Sequence, residues 1–157
     1  NMKTLVSEIL DQKRKVVYTV NENERVYNAV KKMHEYRIGS LLVVNDDENL
    51  VGIITERDIL YKCYQSSEAM TKSNVKVKER MTSSENLFVG QIDDTATTIM
   101  NLMVSKNIRH IPILDGETIV GIISVGDALK GALDARELEA KMLREHIKNP
   151  FGVHIYK

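Results

Sequence analysis

Cysteine is nearly absent from this 157-residue chain, with Cys63 the single example. That excludes an internal disulfide, a thiol-pair redox loop and a zinc ribbon, and it fits a reducing compartment. Proline occurs at only 2 positions while 43% of residues are hydrophobic and 28% charged, a composition able to bury a core. An excess of one charge is missing too. Lys and Arg total 22, Asp and Glu total 22, and the formal net charge is zero, so the basic surplus of a general nucleic-acid binder is not available and no nucleic acid is expected as partner. No apolar run reaches the roughly eighteen residues of a membrane span, and Met2 to Leu10 has neither the apolar centre nor the cleavage pattern of a secretory leader. No membrane partner is expected, and the expected location is cytoplasmic. Met2 reads as the natural first residue, with Asn1 left out of the fold reading. The glycine patterns G-x-x-x-x-G-K-S/T and G-x-G-x-x-G are both missing, which removes the standard phosphate-transfer and dinucleotide signatures.

What the chain does have is a repeat. Val51-Gly52-Ile53-Ile54 recurs letter for letter as Val120-Gly121-Ile122-Ile123, and Thr55-Glu56-Arg57-Asp58-Ile59-Leu60 then runs against Ser124-Val125-Gly126-Asp127-Ala128-Leu129. After a one-residue shift, Val26, Ala29, Val30 and Met33 stand opposite Ala96, Ile99, Met100 and Met103, each set spaced as the apolar face of a helix. Each copy reads as strand, helix, strand, turn, strand, helix. In the first, Val16 to Val20, Leu41 to Val44 and Leu50 to Ile54 are predicted strands, Glu24 to Tyr36 and Asp58 to Tyr64 helices, and Asn45 to Asn49 a polar turn. The second runs from Leu87 to about Leu133 with Asp115-Gly116 as a tighter turn. Short helical prefaces, Val6 to Leu10 and Val77 to Met81, precede the copies, and Ser66 to Asn74 reads as a polar linker.

The predicted fold class is therefore α+β, two βαββα repeats packed as a pseudo-twofold pair, because a unit of about sixty residues is marginal alone. The expected boundaries are 2–65 for the first repeat with its helical preface, 66–76 for a linker, 77–133 for the second repeat and 134–157 for a terminal helix and tail. Ala135 to Ile147 places Leu138, Met142, Leu143 and Ile147 on one side, as in an amphipathic helix. Asn149-Pro150 ends it, with Phe151 to Tyr156 after it. A cleft between packed units is a natural ligand site.

Thr55 to Asp58 and Ser124 to Asp127 each have the form hydroxyl-x-x-acid between a strand and a helix. On spacing alone this is a capping box. The same geometry also suits a nucleotide: free backbone N–H groups at a helix start attract an anion, and a nearby carboxylate accepts hydrogen bonds from ribose hydroxyls. Arg109-His110-Ile111-Pro112 brings two potential cations to the start of a buried strand, where they can reach phosphate oxygens. The first copy has Ile38-Gly39-Ser40-Leu41 there, so two unequal sites are expected.

Tandem copies of this order, each ending Gly-h-h-Thr/Ser-x-x-Asp and with Arg-His-x-Pro in register, resemble a pair of cystathionine-β-synthase (CBS) domains, the arrangement called a Bateman module. The resemblance runs from about Val6 to Leu133. It implies an adenine nucleotide ligand, AMP, ADP, ATP or NAD, held between the copies by a regulatory sensor of energy state or redox cofactor. Carried onto this sequence, it implies Asp58 and Asp127 at the ribose, Thr55 and Ser124 at the phosphates, and Thr19-Val20 and Phe88-Val89 lining the adenine pockets. Asp58 would pair with Phe88-Val89, and Asp127 with Thr19-Val20. Arg109, His110, Arg57 and Ser40 complete the expected nucleotide-binding set. The first copy lacks the proline and the basic residues at Ser40-Leu41-Leu42, and Gly126 replaces Arg57 in the second.

An enzyme is not expected. Cys63 falls in a helical run beside tyrosines, a structural setting, and His34, His110, His146 and His154 are scattered, without metal-ligand spacing. The acidic turn at Asn45 to Asn49 is too short for an EF-hand. No catalytic residue, no metal and no catalytic cofactor is predicted. The competing reading is a module that binds no ligand and serves dimerisation or interaction with an effector protein. A homodimer is expected in either case, with the helices carrying Met33, Met100 and Met103 as core filler or as dimer face.

Overall fold

The computed structural model describes residues 4–13, 16–63, 74–133 and 135–148. Its elements in chain order are α1 (Val6–Gln12), β1 (Thr19–Asn21), α2 (Val26–Tyr36), β2 (Ser40–Val44), β3 (Leu50–Thr55), α3 (Glu56–Cys63), β4 (Thr82–Ser83), β5 (Gly90–Gln91), α4 (Ala96–Lys106), β6 (His110–Asp115), β7 (Thr118–Ser124), α5 (Val125–Ala132) and α6 (Ala135–Lys148). The α+β class and the two repeats predicted from the sequence are both present. Tyr64 and most of the predicted linker lie outside the described residues, as does the segment Phe151 to Tyr156.

The chain divides into two compact units, Val16–Val89 and a second that joins Asn1–Lys15 to Gly90–Lys157. In the first, the sheet order is β1-β2-β3-β4, with β1 parallel to β2 and the other pairs antiparallel. In the second, the order is β5-β6-β7, again one parallel pair followed by one antiparallel pair. The apolar period found in the sequence is the buried face of the long helices. Val26, Ala29 and Met33 of α2 close over Leu41, Val43 and Ile54, and Ala96, Ile99 and Met103 of α4 close over Ile111, Ile113 and Ile123. Each of these helices stops in the same way. Arg37 and Asn107 take left-handed backbone, φ 54° and 53°, and the N–H groups of Ile38 and Ile108 then return to the carbonyls of Met33 and Met103. The β6–β7 turn places Gly116, φ 64°, first of the two residues inside the Asp115–Thr118 pair, a position that glycine fills without steric cost.

The prefaces do not stay with the copies they precede. Val6 and Ile9 of α1 lie in the core of the second copy, and Leu10 packs against the same cluster. Val77, in a 3₁₀ turn (Val77–Glu79), lies in the core of the first. Glycine shapes the α1 contact. A Cβ at Gly121 would meet Leu10 Cδ2 at 2.7 Å, and one at Gly131 would meet Ile9 Cδ1 at 2.5 Å, so the side-chain ends of α1 occupy the space that these two glycines leave on β7 and α5. The N–H groups of Val6 and Ser7 bond the Asp94 and Ile92 carbonyls, and the Ala96 N–H bonds the Thr4 carbonyl. A helix that comes first in the sequence thus completes the unit built mainly from the last part of the chain.

Candidate functional site

In each unit the end of one antiparallel strand pair delivers the expected residues together. Ser40 stands opposite Thr55 in the β2–β3 ladder, and His110 opposite Ser124 in the β6–β7 ladder. The helix that follows is tied to the same corner: the Glu56 N–H bonds the Gly39 carbonyl at 3.0 Å, and the Val125 N–H bonds the Arg109 carbonyl at 2.9 Å. Ser40, Thr55, Arg57 and Asp58 are therefore one cluster, and Arg109, His110, Ser124 and Asp127 another. Arg57 and Arg109 are exposed and His110 is half-buried.

The capping box predicted from spacing is formed in both. Asp58 Oδ2 accepts from the Thr55 N–H at 3.0 Å while Thr55 Oγ1 accepts from the Asp58 N–H at 3.2 Å. Asp127 Oδ2 accepts from the Ser124 N–H at 2.9 Å, and Ser124 Oγ accepts from the Asp127 N–H at 3.2 Å. A structural role for the two acids is thus established, and their other contacts distinguish them. Asp58 is buried, and its Oδ1 accepts from Thr82 Oγ1 at 3.4 Å, from the strand that edges β3. Asp127 instead meets a cation. Lys13 Nζ donates to its Oδ2 at 2.6 Å and to the Ile122 carbonyl at 2.8 Å. Where β4 covers the edge of β3 in the first unit, a lysine end group meets the edge of β7 in the second.

The Lys13 Nζ and Ser124 N–H donors both end on Asp127 Oδ2, and the Ser124 hydroxyl bonds the same carboxylate, on a side chain 22% exposed. Burial pushes this carboxyl up, but the hydrogen bonds from Lys13 and Ser124 and the Lys13 charge together outweigh it and hold the group below the ordinary 3.8. A carboxyl lowered in the folded state stabilises above its unfolded value, and that contribution is lost as pH falls through the folded value. With Lys13→Met two of the lowering influences go, so Asp127 should titrate at higher pH than in the wild type and the acid limb of the stability curve should begin sooner. Carboxyl carbon NMR reads this directly, and an unmoved Asp127 titration would contradict the ion pair.

The two segments expected to line adenine are arranged differently from one another. Thr19 and Val20 pair with Leu42 and Val43, whereas Gly90 pairs with Ile113. The counterparts of Thr19-Val20 are therefore Val89-Gly90, one residue on from the Phe88-Val89 read from the sequence. Proline accounts for the shorter second ladder. The Leu42 N–H bonds the Tyr18 carbonyl at 3.2 Å, while its counterpart Pro112 has no N–H to give. Phe88 and Val89, 40% and 38% exposed, precede that shorter ladder. Val20 is in the core, so its backbone is what it offers, and the Thr19 carbonyl already accepts from Lys32 Nζ at 2.6 Å. Asp58 and Phe88-Val89 belong to one unit, while Asp127 and Thr19-Val20 belong to different ones.

Lys13, Thr82 and Lys32 were outside the sequence reading. Lys13 lies 114 positions from Asp127, and no local spacing signals a pair made by a preface crossing to the other copy. Among the described residues no group of three or more His, Cys, Asp or Glu is placed to hold a metal, and no described helix is long and apolar enough to cross a membrane.

Comparison with known proteins identifies the repeated unit. The family model described as the CBS domain matches residues 6–64 and again 67–134. A putative signal-transduction protein with CBS domains from Burkholderia ambifaria has a solved structure that superposes with TM-score 0.76 at 36% identity, covering 83% of this chain and 94% of that one. The CBS domain pair of protein MJ0100, solved in complex with 5′-methylthioadenosine and S-adenosyl-L-methionine, gives TM-score 0.68 at 27% identity over 88% of this chain and 98% of that one. The mitochondrial CBS domain-containing protein CBSX3 of Arabidopsis thaliana is 29% identical over 94% of this chain and 74% of its own length. With two matches that together span most of its length, the chain belongs to the CBS-domain family.

Proposed function

We propose that this protein is a non-catalytic regulatory module that binds an adenine nucleotide, AMP, ADP, ATP or NAD, through the strand-end hydroxyl and acid groups of its two repeats. The observation that carries the reading is Asp127. The Lys13 and Ser124 N–H donors share Oδ2, and a carboxylate with about four lone-pair sites keeps acceptor capacity on Oδ1 suited to a ribose hydroxyl. The two molecules in the MJ0100 complex share an adenine-bearing ribose, the piece that such an acceptor recognises. Arg109 at the start of α5, with His110 across the ladder, offers donors for phosphate, and the Ser124 hydroxyl joins them when it turns from the Asp127 carboxylate. Thr55, Asp58, Arg57 and Ser40 form the corresponding corner at α3, where both Asp58 oxygens already accept hydrogen bonds and the weaker of two unequal sites is expected, and Thr19-Val20 and Phe88-Val89 would supply the adenine contacts. Regulation follows if the ligand binds one conformation better than another. The cytoplasm is the proposed location.

Calorimetry with AMP, ADP, ATP, NAD and NADH tests it. Saturable binding at millimolar concentration or below is expected for at least one, and Asp127→Asn, which keeps an acceptor for the cap, should weaken it about tenfold. Heat from none of the five rejects the reading. A second reading, self-association through the helices that follow the acids, is favoured by exposed apolar side chains there: Leu60 and Tyr61 on α3, 68% and 70% exposed, and Val125 and Leu129 on α5. Sedimentation of the same samples should show a dimer, and a strict monomer at high concentration rejects that part.

A further inference from the structure

Lys13 has no part in the capping box, yet it shares the oxygen on which the box depends. An ammonium has three donors. Two are fixed, on Asp127 Oδ2 and on the Ile122 carbonyl, and the third is unengaged among the described residues on a side chain 35% exposed. The carbonyl contact matters because it anchors Nζ to the backbone of β7 as well as to the carboxylate. The ammonium is therefore held at the strand end and does not depend on Asp127 alone for its place. Beside it lies Asp127 Oδ1, the acceptor described above. The corner thus presents one hydroxyl-accepting oxygen and one cationic donor a few ångströms apart.

We infer that Lys13 selects the charge of the ligand at this corner, favouring adenine ligands that carry phosphate over uncharged adenine nucleosides. The inference rests on the nucleotide-binding reading and goes beyond it by naming the discriminating residue. A lone carboxylate repels an arriving phosphate. Paired with Lys13 it is formally neutral, and the spare N–H adds a charge-assisted hydrogen bond to an anionic oxygen. An uncharged nucleoside needs only the acceptor and gains nothing from the ammonium. Nucleosides should therefore be nearly indifferent to Lys13, while phosphorylated ligands should depend on it.

The test titrates ATP, AMP and 5′-methylthioadenosine into the wild type, Lys13→Met and Lys13→Arg. Lys13→Met should weaken ATP and AMP about tenfold or more, in line with loss of a hydrogen bond to a charged group, and change 5′-methylthioadenosine by less than about threefold. Lys13→Arg should keep the wild-type preference. A merely structural lysine would lower the melting temperature and leave the ratio of affinities unchanged, which overturns the inference. Lys13→Gln serves if Lys13→Met does not fold. If the wild type binds 5′-methylthioadenosine but neither phosphorylated ligand, the selector role fails while the adenine reading stands. If it binds none of the three, both fall.

Discussion

Gly52→Val is expected to destabilise the Val16–Val89 unit by about 3 kcal/mol, at the upper end of what overpacking costs, with Gly121→Ala costing much less. The two glycines occupy the same place in the repeated Val-Gly-Ile-Ile, and their surroundings differ. A Cβ at Gly52 would run into the Thr82 carbonyl oxygen and stand 2.9 Å from Met81 Sδ. The first of these is backbone, in the strand paired to β3, and it cannot turn aside without breaking that ladder. At Gly121 the obstacle is the tip of Leu10, with Cδ2 at 2.7 Å, and a leucine end can change rotamer. Urea unfolding of both variants reads the difference. Equal losses would show that β4 yields as easily as a side chain. The Asp58 corner should suffer with Gly52→Val, because Thr82 also donates to Asp58.

Ile9→Ala should cost about 2–4 kcal/mol, and the cost should fall on residues more than eighty positions away. Ile9 is 6% exposed and sits among Ala96, Ile99, Ile111 and Ala128, with its Cδ1 filling the space left by Gly131. Truncation opens a cavity there and removes no contact from the β2–β3 core. Hydrogen exchange should therefore speed up for amides of β6 and β7 and leave β2 and β3 near their wild-type protection. The reverse pattern, or equal loss in both sheets, would contradict the assignment of α1 to the second core. A preface that belonged to the first copy would give that reverse pattern.

Much of the fold was legible because each long helix and each central strand carries its own signal. The i, i+3, i+7 apolar sets of α2 and α4 and the continuous apolar run of β2 need no distant information. The hydroxyl-x-x-acid pairs were equally local, and both boxes closed as their spacing predicts. Strand ends were less legible. The opening strand expected at Val16 to Val20 forms only over Thr19–Asn21, since a short parallel edge is set by its partner β2 and not by its own letters. The equivalence of Thr19-Val20 with Val89-Gly90 was legible, since the one-residue shift that sets Val26 opposite Ala96 holds for the opening strands as well. Least legible were the contacts of Asp58 with Thr82 and of Asp127 with Lys13. Each is made by a residue that directly follows a preface packed on the other copy's core, and periodicity within a copy holds no trace of it.

That exchange of prefaces also limits how such a gene can be cut and rejoined. A recombination breakpoint in the stretch between residues 63 and 74 would part Val77 from the sheet it completes and leave α1 attached to a sheet it does not serve. Each inherited fragment would carry the other's missing piece. A piece that respects the cores must instead run from Val16 to Val89, taking Val77 along with the sheet it completes and leaving α1 with the other.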